Sequence, residues 1–497
     1  MTIIADHPRP DNAGILHLGL GSFHRAHQAV YTAAALSASD GDWGIVGVAS
    51  RSRTVVDAMH AQDLLYTVAT VSPEGTSLSV PGVHTDAFVG AAQPERVVAQ
   101  IADPGIRIVT LTVTENGYSY SAATQHLDLD DAAVRADLGG GAPRSTIGQL
   151  ARGLQARAAS GAPISVLSCD NLAANGAHTE KLVREFLQAL PHGEGADTLA
   201  FLDQAVAFPS SMVDRIVPST TPELRERVST LLGTHDEIPV PAEPFTMWAI
   251  EDRFAGGRPA WEAGGAVFTT EVGRYEQMKV RLLNGTHSLI AYLGALRGVG
   301  TIPEAIGLEA IATAALRVLR DEYEPSIEVP TGVDIRDYES QLFERWGNSA
   351  LGHRTSQVGT DGSVKLRQRI PEPALQALAR GEMPHLIALT VAGYLSCIAP
   401  LPGFDPGVHA AAMTDAARAP LAALAATART GRELAERVIT ERQLFGDGLA
   451  GHDAFIGRVG DLIDTIQRQG VDAAITDAVS ASPALTSART NAEEMQP

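Results

Sequence analysis

Short apolar runs that end in glycine or in polar clusters recur through the first half of the chain. Residues 15–21 read Ile-Leu-His-Leu-Gly-Leu-Gly and lead into a helix-compatible stretch at 22–36. Comparable runs stand at 44–49, 65–71, 106–114 and 164–168, with helical segments such as 146–158 between them. Strands that alternate with helices predict a parallel sheet covered on both faces. From residue 274 the periodicity becomes helical, with candidates at 274–296, 302–322, 334–346, 371–380, 384–396, 420–429, 432–444 and 451–469. The pattern therefore predicts an α/β chain, in which a Rossmann-like doubly wound sheet forms an N-terminal domain and a mostly α-helical C-terminal domain follows. The boundaries read 1–270 for the first domain, 271–480 for the second and 481–497 for a flexible tail rich in Ser, Thr and Asn.

Charge narrows the partners. The 497 residues carry 38 Lys and Arg against 58 Asp and Glu, a net −20, which repels nucleic-acid backbones and anionic membrane surfaces. The two cysteines, Cys169 and Cys397, lie far apart with no ligand-spaced companions, so neither a disulfide framework nor a zinc site is expected. The first residues lack an apolar segment of secretory type, and the longest apolar stretch, 386–401, is broken by Thr390, Ser396 and Pro400. A cytoplasmic protein without a membrane span is expected, and oligomeric state stays open, a monomer included.

Candidate chemistry gathers where predicted strands end. Gly19, Gly21, Ser22, Phe23 and His24 form a glycine turn at the start of a helix, either a dinucleotide-binding turn or an ordinary one, since His24 replaces the third glycine of the fingerprint. His24, Arg25 and His27 in the first helical turn suit phosphate oxygens or, alternatively, a solvated face. The end of the second strand carries Arg51 and Arg53 and no carboxylate, which leaves NAD and NADP both open. Thr114 and Glu115 follow another strand, as do Asp170, Asn171 and Asn175, and Asp214 follows a Phe-Pro-Ser-Ser stretch. Each of these sets suits a polyhydroxylated ligand or a plain turn.

The segment 274–288 places Glu276, Lys279, Asn284 and His287 in an apolar helix. At about 100° per residue, with Lys279 at zero, Glu276 falls at roughly 60°, His287 at roughly 80° and Asn284 at roughly 140°. Four polar groups within half a circumference line either one wall of a site or a solvent-facing stripe.

Seven ordered segments resemble the polyol-specific long-chain dehydrogenases, the family of mannitol and mannonate oxidoreductases. They are GLGSFHRAHQA at 19–29, TVTENGY at 112–118, SCDNLAANG at 168–176, FPSSMVDRIVP at 208–218, IEDRF at 250–254, KVRLLNGTHS at 279–288 and HRTSQVGTDGSVK at 353–365. The resemblance implies a metal-independent secondary-alcohol dehydrogenase that uses NAD or NADP, with NAD favoured. It implies Lys279 as general base, Asn284 with Asn175 or Asn171 as donors to the developing alkoxide, His287 as the group orienting the hydroxyl, and Glu276 as a proton relay. It also implies Asp214, Arg354 and Lys365 as contacts to further substrate hydroxyls, and 19–25 together with Arg51, Thr114 and Glu115 as the cofactor site. Mannitol and fructose are the first substrate pair, mannonate and fructuronate the second. A nucleotide-binding protein without catalysis and a zinc alcohol dehydrogenase are the competing classes.

Overall fold

The computed structural model describes residues 3–121, 124–442 and 444–482, so most of the expected tail, 483–497, lies outside the described residues. The chain forms two compact units, Met1–Tyr275 and Glu276–Pro497.

Six strands build the main sheet of the first unit: β1 (Ala13–Leu18), β2 (Gly44–Ala49), β3 (His84–Val89), β4 (Ile108–Leu111), β5 (Ile164–Ser168) and β6 (Val206–Ala207). Their order is β6-β5-β4-β1-β2-β3, and every pairing is parallel. Because successive side chains point to opposite faces, Ile15, Ile45 and Leu167 enter one core and Leu16, Val46 and Val166 the other. Both faces are covered, which is why these strands read as continuous apolar runs. The first core is closed by residues of the helix Gln28–Ala38 together with Trp248 and Trp261, and the second by the helices Pro94–Ala102, Thr146–Ala158 and Asn175–Ala189.

Two expectations for this unit need correction. The run 65–71 does not enter the parallel sheet: its strand, Val68–Ser72, pairs antiparallel with Gly75–Ser79 and parallel with Val240–Ala242 in a separate small sheet. Its expected place is taken by β3, whose polar His84, Thr85 and Asp86 hid it from a hydrophobicity reading. The helix expected at 22–36 is interrupted at His27, φ −126° and ψ −87°, into Ser22–Ala26 and Gln28–Ala38.

Among its described residues the second unit is built of helices joined by loops, with one isolated bridge between Thr301 and Arg354. Thr286–Leu296 and His385–Ile398 pack together at its centre, and nearly every residue of both is buried, as expected of helices apolar on all sides. The apolar stretch beginning at Leu386 is thus a core helix, and no helix among the described residues is long and apolar enough to cross a membrane. Three segments among the described residues are π-helical, Lys279–Gly285, Val318–Tyr323 and Arg437–Glu441, and the first two pack against each other. The second π segment, with breaks after Ile306, divides the single helix expected at 302–322.

Candidate functional site

In the first unit β1 has β4 on one side and β2 on the other, so the strand order reverses at β1, where open α/β sheets bind ligands outside the carboxyl ends of their strands. Gly19 stands there at φ +109°, and a Cβ on it would lie 2.1 Å from the Thr112 carbonyl oxygen, so only glycine fits. The amides of Gly19 and Leu20 both donate to the Val48 carbonyl, and the Thr112 hydroxyl donates to the Gly19 carbonyl at 2.9 Å. A Cβ at Gly21 would meet only the Gly19 carbonyl oxygen, at 3.6 Å, and no side chain caps the helix that begins at Ser22. An open backbone with uncapped amides fits a dinucleotide pyrophosphate.

The side chains around this turn face inward. His17 stacks on His24 at 3.4 Å, and the Nε2 atoms of His24 and His84 lie 3.1 Å apart. All three rings are buried. Burial drives His17 and His84 down to about 3 and His24 well below the usual histidine range, so the cluster is neutral. Arg25 donates to the Ile238 carbonyl at 2.6 Å and lies 5.3 Å from the Tyr66 ring centre, while His27 Nε2 lies 3.1 Å from the Met247 carbonyl. The expectation that His24, Arg25 and His27 meet phosphate or form a solvated face is therefore corrected: tertiary contacts draw them beneath the turn. Gly21 is left exposed, with Ser22 and Phe23 half-buried beside it. Arg51 and Arg53 are exposed at the end of β2, with Arg53 3.7 Å from Asp57.

Beyond β4, Thr114 and Glu115 are exposed, and beyond β5 the chain splits its polar residues. Asp170 is buried and accepts from the amides of Val113 and Thr114 and from the Tyr118 hydroxyl. Asn171 is exposed, whereas Asn175 is buried. The Asn175 amide donates to the Asp170 and Ser211 carbonyls at 3.0 and 2.8 Å and accepts from the Ser211 amide at 3.0 Å. Both of its donors are engaged, so an alkoxide-binding role requires one to change partner. Asp214 is buried at the end of the strand Ser211–Asp214.

In the second unit Lys279 opens the π segment and His287 lies in the helix that follows. Bonding from i to i+5 adds residues to the turn, so the regular step of about 100° per residue overstates the rotation and brings His287 closer to the line of Lys279. Gly285 lets Tyr323 approach this segment closely: a Cβ there would lie 2.5 Å from the Tyr323 ring. Lys279 is 9% exposed, Glu276 and Asn284 are half-buried, and the Asn284 carbonyl accepts from Arg369 and Ser288.

His287 is the electrostatic centre. Burial, with His353, Arg369, Arg345 and Lys365 around it, pushes its imidazole well below the ordinary range, and its buried Nε2 has no hydrogen-bond partner among the described residues. His353 lies 5.0 Å from it, ring centre to ring centre, and is lowered to about 4 by burial and then by Arg345 and Lys365. Lys365 donates to the Thr360 carbonyl at 2.7 Å. Of the two cations proposed from sequence, Lys365 belongs to this set, whereas Arg354 is exposed at the start of the helix Thr355–Gly359. Arg345, His353 and Arg369 had not been singled out. His353 lay inside a recognised segment, but nothing in the sequence signals that Arg345 and Arg369 converge on it. Among the described residues no three His, Cys, Asp or Glu side chains gather as metal ligands.

Comparison with known proteins matches residues 13–263 to the mannitol dehydrogenase Rossmann domain and 271–467 to the mannitol dehydrogenase C-terminal domain. The chain is 40% identical over 396 residues to D-mannonate oxidoreductase of Escherichia coli, covering 78% of this chain and 80% of that one. It is 34% identical over 471 residues to mannitol 2-dehydrogenase of Pyrenophora tritici-repentis, covering 93% and 81%. Among solved structures it resembles the Pseudomonas fluorescens mannitol 2-dehydrogenase ternary complex with NAD and D-mannitol, at TM-score 0.82, 31% identity and 94% coverage of each chain.

Proposed function

Because the chain belongs to the mannitol dehydrogenase family, we propose that it oxidises the C2 hydroxyl of a linear six-carbon sugar acid, mannonate to fructuronate, and catalyses the reverse reduction. It is an oxidoreductase of secondary alcohols that works with NAD or NADP. The nicotinamide, when bound, accepts or returns the hydride. The first unit supplies the glycine turn and the loops after β2 and β4 for the dinucleotide, and the second supplies the proton-transfer groups.

Lys279 removes the hydroxyl proton during oxidation and returns it during reduction. Burial and nearby positive charge are the conditions under which an ammonium yields its proton near neutral pH, and Lys279 is buried. Neutral His287 offers its unpartnered Nε2 to the reacting hydroxyl. Asn284 donates to the developing alkoxide, a contribution of roughly 3–4 kcal/mol for such a donor. Asn171 or a repartnered Asn175 adds a second donor, Glu276 passes the proton to solvent, and Asp214 binds a further hydroxyl.

What supports the substrate choice is the 40% identity to D-mannonate oxidoreductase of Escherichia coli, against 34% to a mannitol 2-dehydrogenase, beside the grouping of Arg345, Lys365 and Arg369 around His287. A substrate carboxylate can add a charge-assisted bond to a guanidinium, which a neutral polyol cannot make. This reverses the order suggested by sequence, where mannitol came first. Mannitol and fructose remain the second reading, favoured by the likeness to the mannitol-bound structure. Steady-state assays of both pairs with both nucleotides test the reading: mannonate or fructuronate should lead in kcat/KM by more than about tenfold, the effect of one charge-assisted bond. A lead for mannitol would overturn the substrate assignment, and no turnover with either would overturn the function.

A further inference from the structure

Thr114 is held at φ +66° and ψ 162°, a backbone region essentially reserved for glycine. It lies just past the end of β4, beside the point where the sheet order reverses. A single carboxylate anchors it there. Asp170 Oδ1 accepts from the Thr114 amide at 2.9 Å, and Oδ2 accepts from the Val113 amide at 3.1 Å and from the Tyr118 hydroxyl at 2.8 Å. Tyr118 is fully buried, and its hydroxyl lies 2.7 Å from Ser168 Oγ, which also accepts from the Asp170 amide. The end of β5 therefore holds both ends of the loop that leaves β4, at Val113 and at Tyr118.

Val113 sets the angle between the two amides, and the strained dihedrals of Thr114 then redirect the chain so that Tyr118 returns to the same carboxylate, a turn that a glycine would make freely. A strained residue persists only where its surroundings over-determine it. We infer that Asp170 is a positioning residue for the cofactor loop: it does not touch the dinucleotide but holds 113–118 in the one conformation that receives it. The inference rests on the reading that this loop lines the dinucleotide site.

The test compares Asp170→Ala, Asp170→Asn and Asp170→Ala combined with either Thr114→Gly or Thr114→Ala. NADH and NADPH binding is followed by nucleotide fluorescence, alongside KM for substrate. Asp170→Ala should weaken binding of the preferred nucleotide by about tenfold, the scale of releasing one such strained residue, with substrate KM changed less than about twofold. Adding Thr114→Gly should recover about threefold of that loss, because glycine adopts the turn freely, whereas Thr114→Ala should recover none. Equal behaviour of the glycine and alanine combinations, or unchanged nucleotide affinity in Asp170→Ala, would overturn the inference. If Asp170→Ala does not fold, Asp170→Asn decides: it keeps the shape but turns a donor toward an amide, so unchanged affinity overturns the inference and weakened affinity supports it. Failure of the wild-type chain to bind either nucleotide would overturn the functional reading, and this inference with it.

Discussion

The two units set their buried histidines in different electrostatic surroundings. Beneath the glycine turn His17 and His24 are neutral and stacked, His84 stands edge-on to His24, Arg25 is committed to a carbonyl, and Asp170 has three donors. Around His287 the second unit concentrates like charges and leaves Nε2 unpartnered. The Nδ1 atoms of His24 and His84 also lack a partner among the described residues, so the difference between the units lies in the charge around the rings and not in their hydrogen bonding. Under the proposed function, a neutral histidine cluster underlies the turn for the dinucleotide and a histidine ringed by cations serves the substrate.

The largest expected effect strikes the second unit alone. Lys279→Ala should lower kcat by at least about a thousandfold, within the range for loss of a general base, while nucleotide affinity measured by fluorescence stays within about twofold. A full-rate variant would remove the lysine from the chemistry. Next in size is Arg345→Leu, which should lower kcat/KM for mannonate by about a hundredfold, the scale of a lost charge-assisted bond, and spare mannitol. An equal fall for both substrates would make Arg345 a packing residue and erase the proposed division of charge.

The first unit should reveal itself by its acid sensitivity. His17 and His84 titrate at about 3 when folded, against about 6.5 in an unfolded chain. Between those values the unfolded state binds more protons, so stability is fully present above about pH 6.5 and declines as pH falls toward 3. Each histidine contributes up to about 1.4 kcal/mol per pH unit in that window. Three of the four tryptophans, Trp43, Trp248 and Trp261, lie in this unit, so urea midpoints followed by tryptophan emission at pH 7.5 and 5.0 report chiefly on it. His24→Gln should flatten that pH slope, and an unchanged slope would place the acid sensitivity elsewhere. The smallest effect belongs to Arg51→Ala, which should raise KM for NADP a few-fold more than KM for NAD, as loss of one exposed phosphate contact would. Equal changes would remove Arg51 from cofactor choice.

The comparison also explains what could be read from sequence. Strands buried on both faces announce themselves as apolar runs, and β1, β2, β4 and β5 were all visible. β3 was not, because His84 enters a polar cluster and Asp86 pairs with Arg96. Lys279, Asn284 and His287 stood out as polar residues in an apolar helix. The inward turn of His24 and Arg25 depends on His17, His84, Tyr66 and Ile238, none of them neighbours in sequence. No residue type marks a change from i+4 to i+5 bonding, so the π segment was invisible until its packing against Tyr323 was seen.

That irregular turn means the Lys279 to His287 stretch is not a portable cassette. Its azimuths depend on Gly285 admitting the Tyr323 ring and on Arg369 reaching across to occupy the Asn284 carbonyl. Grafted into a regular helix of another scaffold, the same nine letters would fan their side chains in other directions, so a designer borrowing this chemistry must transplant the neighbouring helices with it.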